Sequence, residues 1–192
     1  MEAFLVSTGI VALAEVGDKT QLLSFVLAAR YRRPWAICAG ILAATTVNHA
    51  LAGALGALLM HWVGPDAMRW ILGLGFIAMA VWMLIPDRLD DADARPARDW
   101  GVFGTTTLLF FIAEMGDKTQ VATVALSAQY GAFVAVVAGT TLGMMLANVP
   151  AVLVGQLLAD RMPVKAVHRA AAAIFAVLGA VTLFGGLDRF LG

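Results

Sequence analysis

Long apolar stretches alternate with short polar intervals along the chain, at about 4–28, 35–60, 68–86, 101–127, 131–158 and 168–187. A helix needs roughly 20 apolar residues to cross a bilayer, and each block is read as one transmembrane helix. The intervals are short except for 87–99, where Asp87, Asp90, Asp91 and Asp93 mix with Arg88, Arg95 and Arg98. That stretch reads as a solvated linker. It divides the chain into a first three-helix half, 1–86, and a second, 100–192. Small residues, including Gly53, Gly56, Gly139 and Gly143, sit where helices would approach closely.

Composition agrees with this pattern: 61% of residues are hydrophobic and 14% charged, whereas soluble domains are roughly half apolar and a quarter charged. The fold class is therefore all-α integral membrane. Thirteen basic residues balance thirteen acidic ones, which gives no electrostatic reason to expect a nucleic-acid partner; the expected surroundings are the lipid bilayer. The single cysteine, Cys38, cannot form an internal disulfide. Ala12-Leu13-Ala14 resembles a signal-peptidase site, but Glu2 stands where a basic n-region belongs, so the first helix is expected to be retained. With Lys19 and Lys118 set aside, nine basic residues fall in one set of loops and two, Arg69 and Arg189, in the other. The positive-inside rule then places both termini outside the cytoplasm, in a multi-pass protein of the plasma membrane.

Two of the blocks carry charge at their centres, and in both it is the same sequence. Glu15-Val16-Gly17-Asp18-Lys19-Thr20-Gln21 recurs as Glu114-Met115-Gly116-Asp117-Lys118-Thr119-Gln120, identical at six of seven positions, at an offset of 99 residues. Thr8 and Thr107 precede the two copies by the same interval, and Gly56-Ala57-Leu58-Leu59 echoes Gly155-Gln156-Leu157-Leu158. Three spans per half is an odd number, which forces the second half to run in the opposite sense. The expected architecture is six transmembrane helices as two inverted three-helix repeats, a plan that places a substrate site at mid-membrane between the halves.

Read as helix, the motif puts Glu15 and Asp18 on one face with Lys19 beside them. Ionisable groups at bilayer depth cost about 2.5–3.5 kcal/mol each on insertion scales, so six of them must face one another or a wet cavity. Four carboxylates and two lysines sum to a formal charge of −2, which a divalent cation or protons would neutralise. Oxygen ligands suit hard ions such as calcium, manganese or magnesium. The candidate ligands are Glu15, Asp18, Glu114 and Asp117, with neutral oxygens from Thr20, Thr119, Gln21 and Gln120 and, from the second and fifth blocks, Asn48 and Asn148. Gly17 and Gly116 either admit a neighbouring helix or loosen the backbone; the residues leave both readings open. The lysines pair with Asp18 and Asp117 or merely offset charge. Internal salt bridges that glue helices would explain one such pair but not an identical set twice over. Asn48 and Asn148 serve equally well as interhelical hydrogen-bond partners. His49 has no counterpart in the second half and reads as structural rather than as a proton relay, and Pro150 predicts a kink.

The doubled Glu-x-Gly-Asp-Lys-Thr motif, once at the head of each half, resembles the family typified by the Golgi transmembrane protein 165, and the resemblance covers essentially the whole chain. It implies a cation/proton exchanger handling manganese or calcium, with Glu15, Asp18, Glu114 and Asp117 as cation ligands and proton carriers. No permanently bound cofactor is implied, only transported Mn2+ or Ca2+ with protons as counter-ion. Bacterial members are associated with manganese export. The expected function is thus a secondary antiporter working by alternating access, and not an enzyme. The alternatives are an exporter of a small zwitterion such as an amino acid, and an intramembrane metal-dependent enzyme; the near-symmetric acidic site speaks against both. The glycine-rich faces leave a homodimer open.

Overall fold

The structure is a computed structural model that describes residues 1–63, 65–85, 100–154 and 164–184. Eight helices make up these residues, with no strand among them: α1 Glu2–Ala14, α2 Lys19–Tyr31, α3 Pro34–Trp62, α4 Pro65–Trp82, α5 Gly101–Glu114, α6 Lys118–Tyr130, α7 Phe133–Val154 and α8 Val164–Phe184. Three of them, α3, α7 and α8 from Lys165 onward, are long and apolar enough to cross a membrane by themselves. The acidic and basic residues expected in the linker 87–99, Arg161, and the ends of the fifth and sixth expected spans lie outside the described residues.

The structure corrects the reading of the first and fourth blocks as single continuous helices. Each is two helices in tandem, α1 with α2 and α5 with α6, broken at the repeated motif. The reason is local. Gly17 and Gly116 adopt φ of 80° and 74°, a left-handed conformation that ends a helix and that glycine alone enters without steric cost. Asp18 and Asp117 follow in extended backbone, and each side chain accepts the N–H two residues on, as an N-cap does. Glu15 and Asp18 are therefore not neighbours on a helix face; they flank a break.

The largest packings join helices from the two sides of the linker: α1 with α7, α3 with α5 and α6, and α4 with α8. They also recur at the offset of the sequence repeat. A side chain on Gly40 of α3 would meet Phe103 O and Thr106 Cβ of α5, at 2.9 and 2.7 Å; one on Gly139 of α7 would meet Phe4 O and Ser7 Cβ of α1, at 2.5 and 3.1 Å. Each of the three residues in the second contact stands 99 positions from its counterpart in the first. Between α4 and α8 the rings of Phe76 and Phe175, again 99 apart, pack with centroids 6.2 Å apart and planes at 32°. Gly56 and Gly143, likewise, lie against the backbones of α6 and α1. These glycines are contact points between helices, as their sequence positions lead one to expect. α7 continues through Pro150.

Leu5, Leu42, Val47, Leu51, Leu55, Leu58, Val81 and Leu146 point outward and are exposed. Trp35 and Trp62 stand near opposite ends of α3, 77% and 82% exposed, where aromatic side chains anchor a helix at the two membrane surfaces. Many polar side chains of the helices, among them Ser7, Ser24, Thr45, Thr106, Thr123 and Ser127, lie inside, the reverse of a soluble bundle.

Candidate metal centre

The motif builds its own scaffold. Glu15 caps the C-terminus of α1, its N–H bonded to Val11 O at 3.0 Å, and Asp18 N–H returns to Glu15 O at 3.1 Å to close the turn. Thr20 then reaches back across the break and donates its hydroxyl to Glu15 Oε2 at 2.6 Å. Gln21 accepts the Gly17 N–H on Oε1 at 2.8 Å, much as the third residue of a capping box reaches behind its own helix start. The second copy repeats three of these bonds, Asp117 N–H to Glu114 O at 3.1 Å, Thr119 Oγ1 to Glu114 Oε2 at 2.9 Å and Gly116 N–H to Gln120 Oε1 at 2.7 Å, while Met115 takes the C-cap of α5. No neighbouring atom lies within contact distance of a side chain built on Gly116. This decides between the two readings of that glycine: it turns the backbone and does not admit a helix.

Two broken helices thus meet in the interior. Glu15 and Glu114 are fully buried and Asp117 nearly so. Glu15, Glu114 and Asp117 can each present a carboxylate oxygen within 4.8 Å of the others. Two motifs far apart in sequence therefore contribute to one cluster of three carboxylates. Asp18 is buried as well, but its carboxylate is not among the three that converge; it caps α2 and accepts from Thr20 N–H at 3.3 Å. Glu15 Oε1 and Glu114 Oε1 make no hydrogen bond among the described residues, so each glutamate has one oxygen fixed by its threonine and the other uncommitted.

The remaining candidates hold these groups in place. Gln21 Nε2 donates to Ala147 O at 3.0 Å, and Gln120 Nε2 donates to Asn48 Oδ1. Asn48 in turn donates to Phe111 O at 3.3 Å. Asn148 accepts from Ser24 Oγ at 2.7 Å and approaches Glu15 Oε2 through Nδ2 at 3.5 Å. The side-chain oxygens of Gln21, Gln120, Asn48 and Asn148 are thus all accepting hydrogen bonds already. Those of Thr20 and Thr119 act as donors to the glutamates.

Both lysines reach away from their own motif. Lys19 crosses to the other motif and pairs with Asp117 at 3.2 Å. Lys118 is buried and donates to Ile85 O at 2.8 Å, beyond the end of α4. The lysine pairing expected from sequence is therefore present for Asp117, across the halves. Surroundings differ too: Met115 and Gly116 are exposed, while Val16 and Gly17 are only partly so.

Comparison with known proteins places this geometry. The family model of the divalent cation/proton antiporter GDT1 matches residues 3–91 and 102–189, nearly the whole chain. The chain belongs to the GDT1 family. Relatives agree with the match. A Vibrio cholerae protein named as a candidate manganese exporter is 49% identical over 185 residues, spanning 96% of this chain and 92% of its own length. A GDT1-like protein of Synechocystis is 30% identical over 209 residues, spanning 100% of this chain and 94% of its own length. The GDT1-like protein 5 of Oryza sativa subsp. japonica is 26% identical over 226 residues, with 95% and 94% spanned. No solved structure matches the chain. Membership of GDT1 makes this a membrane transporter of divalent cations rather than an enzyme.

Proposed function

We propose that the protein exchanges Mn2+ or Ca2+ for protons across the plasma membrane, by alternating access of two inverted three-helix repeats that cross the bilayer six times with both termini outside. The observation that carries this reading is the meeting of Glu15, Glu114 and Asp117, buried, within 4.8 Å, and drawn from both copies of the motif.

The chemistry follows from charge and position. α1 and α5 end at the glutamates, so the partial negative charge of two helix C-termini is directed toward the cation. The acids supply the rest. With all four motif carboxylates and both lysines ionised, the site carries −2, the charge that one divalent cation or two protons cancels. Exchange then needs no further group: metal binds where the carboxylates are ionised, and protons displace it where they are not. Glu15, Glu114 and Asp117 take the cation. Asp18 adds charge and holds α2 in register, Thr20 and Thr119 orient the glutamates, and Lys19 occupies Asp117 until the metal competes for it. Manganese is favoured as cargo by the name of the Vibrio cholerae relative; calcium suits the oxygen ligands equally.

Flux of Mn2+, Ca2+ and Mg2+ into proteoliposomes under an imposed pH gradient, with lumenal pH followed in parallel, tests the reading. Metal uptake coupled to opposite proton movement, reduced at least tenfold in Glu15→Gln and Asp117→Asn, is expected. Equal flux in the folded variants would remove these residues from the site.

A further inference from the structure

α4 and α8 form a groove that none of the motif residues lines. The two helices run antiparallel: Gly73 lies against Leu183, Ile77 against Gly179, and the Phe76 ring packs on that of Phe175. Toward the end of α4 and the start of α8 they leave an open space of about 380 Å³. Ile77, Val81 and, just beyond α4, Leu84 form one wall, and Ala172 and Ala176 of α8 form the other. The alanines leave room that larger side chains would fill. Arg169 is the one polar residue of the lining, at the end nearest the start of α8. From Arg169 to Ala176 the helix rises about 10 Å.

Every outward face of a membrane protein meets lipid chains, so the apolar walls alone select nothing. The guanidinium does. Arg169 lies five positions past Val164, where α8 begins, and so about 7–8 Å along the helix axis. It makes no ion pair among the described residues. A cation at such a depth is costly unless it reaches water or meets an anion. A second copy of the chain on this face does not supply one. Two copies related by a two-fold axis along the membrane normal would bring two Arg169 side chains to the same depth, like charges within an apolar contact.

We infer that the α4–α8 groove binds one anionic phospholipid, with its phosphate on Arg169 and an acyl chain laid between the helices. The planar guanidinium fork matches phosphate oxygens. Lys165, exposed one turn earlier on α8, adds positive charge toward the headgroup. Basic pockets between transmembrane helices on the cytoplasmic side hold anionic headgroups in this way, and the proposed topology puts this end of α8 there. α4 precedes the linker and α8 follows it, so the lipid joins the two sides of the chain.

The test uses native mass spectra of purified full-length protein, given equal amounts of phosphatidylglycerol and phosphatidylcholine with the same acyl chains. One phosphatidylglycerol per chain is expected, retained about tenfold over phosphatidylcholine. Arg169→Gln is expected to bring the two lipids near parity, and Arg169→Lys to keep part of the preference. Ala173→Phe, which adds a ring at an exposed position of the groove lining, is expected to lower retention of both lipids at least fivefold. No preference in the unmodified protein, or an undiminished one in Arg169→Gln, overturns the inference. Equal losses in Lys165→Gln and Arg169→Gln also overturn it, because they would show diffuse attraction to a basic surface. So does a lipid-free dimer that Ala173→Phe dissociates, which would make this face a contact between copies. None of these outcomes depends on metal transport, so the proposed function stands or falls separately.

Discussion

The Thr20 hydroxyl donates to Glu15 Oε2 across a break in the helix, at 2.6 Å. The bond fixes one oxygen of the glutamate and leaves the other toward the cluster. A methyl in place of the hydroxyl keeps the shape and removes the donor. Thr20→Val is expected to weaken Mn2+ binding about tenfold, the cost of a charge-assisted hydrogen bond of roughly 1.5 kcal/mol, while Thr20→Ser retains most of it. Equilibrium Mn2+ binding to purified variants distinguishes the two.

Lys19 and a bound metal compete for Asp117. Removing the ammonium is expected to tighten metal binding several-fold in Lys19→Gln and to slow release. Lys118 donates to Ile85 O at 2.8 Å, and Lys118→Gln is expected to change the affinity less. Titrating Mn2+ against both variants and comparing single-turnover efflux checks this ordering.

A side chain at Gly116 meets open space, so its cost is conformational alone. At φ of 74° an alanine is strained by about 1–2 kcal/mol. Gly116→Ala is expected to lower the unfolding temperature in detergent by a few degrees and to reduce transport, because relieving the strain would pull Glu114 and Asp117 out of register. Thermal unfolding followed by circular dichroism reads the first effect and proteoliposome flux the second.

Protons and metal occupy the same oxygens, which sets the sign of the pH dependence. Lowering pH loads the carboxylates with protons and weakens metal binding; raising it does the reverse. A plot of log affinity against pH is expected to rise with a slope approaching about two where both neutralising protons must leave, and replacing Glu15 or Glu114 with Gln is expected to reduce the slope by about one. Isothermal titration of Mn2+ across pH 5.5 to 8, repeated in buffers of different ionisation enthalpy, counts the released protons directly.

The apolar blocks and the recurring motif were legible in the sequence, because hydropathy and a heptapeptide repeated at six of seven positions are both local signals. The break was legible too, though a face-sharing helix is the simpler reading: Gly17 before Asp18, with Thr20 and Gln21 following, is the signature of one helix ending and another starting. Apolar continuity on both sides concealed it. That Asp117 joins the two glutamates in one group, and that Lys19 reaches it from the other motif, could not be read, since such neighbours are acquired only once the chain is folded. Likewise, the hydrogen bonds that the Gln21 and Asn148 oxygens accept are set only by the fold.

Gly40 rests on α5 and Gly139 on α1, so the contacts that bury each half are supplied by the other. A nascent chain that has released only residues 1–86 has nothing against which to complete α1 and α3, and its polar interior must wait in the membrane for the rest. Biogenesis is therefore all or nothing. A chain severed within 87–99 should assemble when both pieces are made together, and neither piece alone should accumulate as a folded protein.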